Sequence, residues 1–378
     1  MAGVLFYAAT SQGWNSLYFV IRKLLTLDAG IQDSICVCFP GVPDYRWNFL
    51  SSESRDLFFR LAGNSRAIRP DCHVYVSTER PPPALLSDRS RYRIIIPHGS
   101  GFGSSSYTVV TYLSTDLYCG HAPQQKALVF DALVPQGQRR PAFIPTGNPR
   151  NDRFLEYVRA DRGRRAEIQA RAKRFLGLSP DRKMVLIASH WTPDGLLRTF
   201  GTGPIQAVSV MDEDFQIVQG VHPNLWDDPQ HDSFQLTVRN SRQDGFSSRW
   251  IREALVREEE RGVNVQWGIE NNLAVLACDA MIADHSSIVV EAAILDKPVV
   301  CYLRRARFDA EFAYVLYRDA VVQFERCGDL PGALRETLAD PEDKVLGRER
   351  MRSMFAFNLG GASEKIARLV LERYRAAL

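Results

Sequence analysis

Two histidines in loops and a serine pair followed by a glutamate are the residues whose types and spacing suit them to chemistry. His98 follows the β-branched run Ile94-Ile95-Ile96-Pro97 and opens Gly99-Ser100-Gly101-Phe102-Gly103. His222 follows a second apolar run, residues 215–221, and precedes Pro223-Asn224. An imidazole suits a general base because its unperturbed pKa lies near neutrality, and such catalysis is worth about a hundred- to ten-thousand-fold. In Ala283-Asp284-His285-Ser286-Ser287-Ile288 a strand end meets the start of a helix. The serine hydroxyls and the first free backbone N–H groups of that helix can hold a phosphate. Ser287 and Glu291 share a helix face, which sets a carboxylate one turn deeper, as an acceptor for a ribose hydroxyl. The alternative reading is a plain connection, with serine as N-cap and Glu291 as a solvated helix residue.

Other polar residues are weighed against structural roles. Arg150 stands in Thr146-Gly147-Asn148-Pro149-Arg150-Asn151-Asp152, where glycine and proline set a tight turn, and its guanidinium can reach a phosphate oxygen or the opposing lobe. Asn151 and Asp152 are expected to cap the following helix. The loop Ser189-His190-Trp191-Thr192-Pro193-Asp194 offers Trp191 either to stack a base or simply to pack. His73, His121, His190 and His231 sit in no such run and are read as structural. Asp212-Glu213-Asp214 precedes a strand, so it reads as a solvated turn, and no essential metal is expected. The glycine-rich loop after His98 lacks the lysine of a P-loop and the spacing of a dinucleotide fingerprint, so no ATP, NAD or other cofactor is expected.

These residues must be carried by layered elements. Apolar β-branched runs alternate with amphipathic stretches, the pattern of an α/β fold with parallel sheets. Strands are expected near residues 4–9, 34–39, 73–77, 92–96, 126–130, 183–189, 215–219, 263–266, 280–283 and 299–302. Helices are expected over 16–27, in one or two pieces over 156–176, and at the end, where Ile366, Leu369, Val370 and Tyr374 keep helical spacing. At 378 residues the chain suffices for two domains. The expected division is 1–155, 156–345 and a helical segment 346–378 packing back across the lobes. The net charge of +3 is small and no nucleic-acid partner is expected. The arginine clusters read as solvated helix faces, with anionic lipid or polymer as the alternative. Seven cysteines without paired spacing fit reduced thiols, and Cys36 and Cys38 read as buried strand residues. No leader-like or membrane-spanning stretch is seen, so a cytoplasmic protein is expected, with any membrane contact peripheral and on the cytoplasmic face.

The run from Asp284 to Glu291 resembles the C-terminal signature of the CDP-glycerol glycerophosphotransferase family, whose members build glycerol-phosphate polymers of teichoic acids and capsules. His285 stands where that signature usually has an aromatic residue. The blocks around His98, Gly147 to Asp152 and His222 resemble further motifs of the family, in the same order. Gly361-Ala362-Ser363-Glu364 is a weaker match, and the resemblance runs from about Ile94 to the C-terminus. Family members usually carry a tryptophan before the first histidine and threonine-proline-leucine-lysine after it, where this chain has Pro97 and Ser100-Gly101-Phe102-Gly103.

The resemblance implies a GT-B-like fold, with two Rossmann-like lobes facing a cleft, and transfer of an alditol phosphate from a CDP-activated donor. His98 would be the base on the acceptor hydroxyl and His222 the phosphate or leaving-group contact, the reverse assignment staying open. Ser286, Ser287, Glu291, Asp284, Arg150, Gly99 and Asn224 would bind the donor. The acceptor would be lipid-linked or a glycan, in capsule, O-antigen or teichoic-acid assembly. Two other readings remain: a GT-B glycosyltransferase or UDP-sugar epimerase, and a nucleotide-binding partner subunit without turnover.

Overall fold

Gly3-Val4-Leu5-Phe6-Tyr7 becomes the first strand because it is apolar on both faces, and Val4, Leu5 and Phe6 have no exposed surface. Such two-sided burial is the mark of a parallel sheet covered by helices. The computed structural model describes residues 3–8, 11–38, 53, 56–57, 61, 72–78, 90–96, 99, 105–132, 134–190, 192, 194–211, 215–222, 249–267, 271–308 and 311–378. The chain divides into two compact units, Met1–Leu155 with Ser353–Leu378, and Glu156–Arg352.

The first unit is built on strands β1 (Gly3–Tyr7), β2 (Ile35–Cys38), β3 (Cys72–Ser77), β4 (Tyr92–Ile95), β5 (Leu117–Gly120) and β6 (Ala142–Pro145). They lie in the order β2-β1-β3-β4-β5-β6, every pair parallel. The helix Ser11–Leu27 turns Trp14, Leu17, Ile21 and Leu24 to the sheet, a three- and four-residue spacing that makes one apolar face. Each such fully buried side chain contributes about 1.5–3 kcal/mol. The last helix, Ala362–Arg375, adds Ile366, Ala367 and Val370 to the same core, and Tyr374 Oη lies 2.8 Å from Ser34 Oγ. Cys36 and Cys38 are buried in β2, as expected.

The second unit holds β7 (Met184–Ala188), β8 (Gln216–Val221), β9 (Asn264–Trp267), β10 (Ala280–Asp284), β11 (Val299–Tyr302) and β12 (Val322–Gln323). Their order is β12-β11-β10-β7-β8-β9, again all parallel. The chain runs outward from β7 to β9 and then crosses back to place β10 on the other side of β7. That reversal creates a topological switch point between β7 and β10, where open α/β sheets bind ligands beyond the carboxyl ends of their strands.

One expected strand is not a strand. Residues 126–130 form a π-helical turn, Lys126–Asp131, entered through Pro123. The turn buries Val129 and Phe130, stacks Phe130 on Tyr112 at 4.0 Å, and pairs Lys126 with Asp131 on its outer face. The strands at this place are β5 and β6, too short and too poor in β-branched residues to stand out in sequence. The 156–176 stretch forms two helices, Leu155–Arg159 and Arg162–Phe175, with Asp161 capping the second. Among the described residues no helix is long and apolar enough to cross a membrane.

Candidate functional site

Three neighbouring strands of the second sheet each end in a histidine. β10 is followed by His285, β7 by His190 two residues on, and β8 by His222. Because the strands lie side by side, His190 stands between the other two, its ring 5.2 Å from that of His285 and 5.8 Å from that of His222. His190, read from sequence as structural, therefore belongs to the cluster. The signal that finds it is its place just past an apolar run, which it shares with His222 and His285.

The cluster is held by Asp284, the last residue of β10, which has no exposed surface. Its Oδ2 accepts from the backbone N–H of His190 at 2.7 Å and of Leu196 at 2.8 Å, and lies 3.2 Å from Ser189 Oγ. Its Oδ1 accepts from the backbone N–H of Ser286 at 3.0 Å. One carboxylate thus ties the loops after β7 and β10 together across the switch point. This corrects the expectation that Asp284 binds the donor: both oxygens are committed to the protein, and the side chain braces the site from behind. Burial pushes its carboxyl up, against His190 and the backbone donors that pull it down. Gly195 lets the first loop close, since a Cβ there would stand 2.2 Å from the carbonyl oxygen of His190.

His190 Nδ1 accepts from Thr192 N at 3.3 Å and lies 2.8 Å from Thr192 Oγ1. A nitrogen that accepts a backbone N–H carries no proton, so the neutral ring bears its hydrogen on Nε2. Burial pushes this imidazole down to about 4, with Asp284 acting in the opposite sense. His285 is likewise pushed down to about 4, by burial first, with Asp194 opposing and Arg307 reinforcing. Asp194 and Arg307 form an ion pair through two contacts. Burial raises the Asp194 carboxyl, but Arg307, His285 and Thr192 together leave the group below the ordinary carboxylate range.

Ser286 and Ser287 are partly exposed, and neither hydroxyl bonds a described residue. The helix Ile288–Ile294 follows, and Glu291 on it is 2% exposed. The alternative reading of Glu291 as a solvated helix residue is therefore wrong. Its carboxylate is enclosed one turn below Ser287.

The remaining candidates lie in the first unit. Asn148 Nδ2 donates to the carbonyl oxygen of Gly99 at 3.1 Å, so the loops that follow β4 and β6 are in contact. Gly147 has φ +86°, and a Cβ there would meet the Phe357 carbonyl at 2.4 Å. Arg150 is 6% exposed, in the 3-10 helix Pro149–Phe154 that Asn148 caps. Asp152 is a cap, as expected, but of a different helix. It accepts from the backbone N–H groups of Gly360, Ala362 and Ser363, at the start of the last helix and not of the one that follows it. His98, Asn224, Trp191, His231 and Asp212-Glu213-Asp214 lie outside the described residues. Among the described residues no group of three or more histidine, cysteine or acidic side chains is arranged to hold a metal ion.

Residues 130–372 match the sequence profile of the CDP-Glycerol:Poly(glycerophosphate) glycerophosphotransferase family. The chain belongs to that family. It is an enzyme of the glycerophosphotransferase class, with a CDP-glycerol-type donor and a glycan or polymer acceptor. The match spans β7 to β12 and the blocks at Gly147, His222 and Asp284, and leaves the block at His98 outside. No curated protein sequence matches this glycerophosphotransferase. Among solved structures, the wall teichoic acid polymerase TagF superposes with a TM-score of 0.64 at 14% identity, over 100% of this chain and 90% of that one. A Staphylococcus aureus MnaA–UDP structure reaches 0.58 at 12% identity, over 100% and 98%. The UDP-GlcNAc 2-epimerase of Neisseria meningitidis, bound to UDP-GlcNAc, reaches 0.51 at 14% identity, over 98% and 100%. At these identities the likeness establishes the fold class of the glycerophosphotransferase, α/β and GT-B-like.

Proposed function

We propose that this glycerophosphotransferase moves glycerol phosphate, or a closely related alditol phosphate, from a CDP-activated donor to a hydroxyl of a lipid-linked or oligosaccharide acceptor in cell-surface polymer assembly. The observation that carries the reading is the switch point of the second sheet, where Ser286 and Ser287 offer hydroxyls above the enclosed carboxylate of Glu291, with His190 and His222 at the ends of the next two strands. In this reading the serines hold the diphosphate and Glu291 takes a ribose hydroxyl. His222 steadies charge on the departing CMP, and Asn224, two residues on, would add a donor contact. His98 takes the proton of the attacking hydroxyl, an assignment supported by its motif. Gly99 and Arg150 would add contacts to the donor. The P–O bond to CMP breaks as the acceptor oxygen bonds phosphorus, and the acceptor proton leaves through the base. The exposed arginines of the helix Arg162–Phe175 favour peripheral contact with an anionic membrane surface.

The test is CMP release from CDP-glycerol, CDP-ribitol and UDP-sugars in the presence of lipid or glycan acceptors. CMP from a CDP-alditol, lost in His222→Ala, supports the reading. UDP release, or turnover indifferent to His222, overturns it in favour of sugar chemistry.

A further inference from the structure

His285 lies immediately before the two serines, and one of its ring nitrogens is closed off from any ligand. Its Nδ1 is enclosed and has no hydrogen-bond partner among the described residues, although the residue as a whole is partly exposed. Buried N–H groups without an acceptor are rare because each forfeits a hydrogen bond it had in water. The ring therefore keeps Nδ1 bare and carries its hydrogen on Nε2. The groups that face it are the His190 ring at 5.2 Å and the Asp194–Arg307 pair. Arg307 already occupies the Asp194 carboxylate, so no unpaired anion stands ready to draw a second proton onto the ring.

We infer that His285 is a further donor-binding residue: a neutral imidazole whose Nε2–H hydrogen-bonds a phosphoryl oxygen of a nucleoside diphosphate held at Ser286 and Ser287. The inference rests on the proposed donor site. It adds a third side-chain donor, on the next residue in sequence, to the two hydroxyls. Burial pushes the imidazole down to about 4, so the contact is made without a positive charge at neutral pH. His190, also neutral and also an Nε2–H tautomer, packs beside it and contributes no charge that would repel a proton from His222.

The experiment is calorimetric titration of the full chain with CDP, and separately with UDP, for the natural protein, His285→Phe and His285→Gln. Phenylalanine keeps a ring without a donor, and glutamine keeps an N–H without a titration. CDP is expected to bind about tenfold more weakly to the phenylalanine variant and within about threefold of normal to the glutamine variant. The ratio of natural to His285→Phe affinity is expected to stay constant from pH 6 to 8, because a neutral donor does not titrate there. Equal affinity in all three proteins, or a ratio falling about tenfold per pH unit as for an imidazolium, overturns the inference. Nitrogen-15 spectra of the ring provide a check independent of ligand: an Nε2–H tautomer that does not titrate near neutrality is expected, and an Nδ1–H tautomer or a titration near 6.5 overturns it. UDP showing the full pattern in place of CDP would sink the cytidine donor and leave His285 standing. Tight CDP binding indifferent to both variants would do the opposite.

Discussion

Asp152 accepts the backbone N–H of Ser363 at 2.8 Å, joining residues more than two hundred positions apart in sequence. The same carboxylate takes Gly360 N at 2.7 Å and Ala362 N at 3.3 Å, so it caps the last helix and fastens that helix to the 3-10 helix Pro149–Phe154. Asp152→Ala should cost about 1–2 kcal/mol, the usual value of a lost N-cap. Denaturant unfolding checks it, and an unchanged midpoint would show that the cap carries no stability.

Gly195→Ala should disable the site. Its Cβ would stand 2.2 Å from the His190 carbonyl and 3.1 Å from that of Thr192, backbone atoms that cannot rotate away. The loop must then shift, moving His190 and the Leu196 amide off Asp284. Donor turnover should fall at least about tenfold, because displacements near 1 Å in a positioned site cost far more than that. Gly262→Ala is the control: its φ of +91° strains an alanine but nothing lies near the added carbon, so turnover should hold.

Asp284→Asn should be strongly destabilising. An amide has one acceptor oxygen, while the protein donors approach both oxygens of Asp284. Whichever way the amide turns, its NH2 group faces a buried N–H. The expected loss is about 2–4 kcal/mol. A thermal midpoint equal to that of the natural protein would argue against the bracing role.

Acid should loosen the second unit well before the carboxylates titrate. His190 and His285 fall from the ordinary 6.5 to about 4 on folding, so between those values the unfolded chain binds more protons than the folded one. Stability is then complete above about pH 6.5 and declines as pH falls toward 4, by on the order of 3 kcal/mol for each ring. Thermal midpoints across this window measure the slope, and His285→Phe should flatten it. A slope of the opposite sign would mean that the rings gain protons on folding.

Much of the architecture was legible in sequence because it is local. Alternating β-branched and amphipathic runs mark most strands, and the paired serines and the Gly147 to Asp152 turn stand out because each encodes its own backbone conformation within a few residues. The turn at Lys126 misled, since its apolar run serves a helical face as readily as a strand. His190 carries a local signal only in its place just past an apolar run, and its membership of the cluster comes from the strand order.

What the chain by itself determined was the α/β class, the motif order and the residue types available for phosphate chemistry, all properties of short segments. What only the tertiary structure decided was which segments meet. Strand order sets His190 between His222 and His285, turns Asp284 from an expected ligand into a brace, and sends Asp152 to the last helix. The physical reason is that hydrogen bonds and buried contacts between distant segments are chosen by the packing of whole layers, which no local stretch encodes.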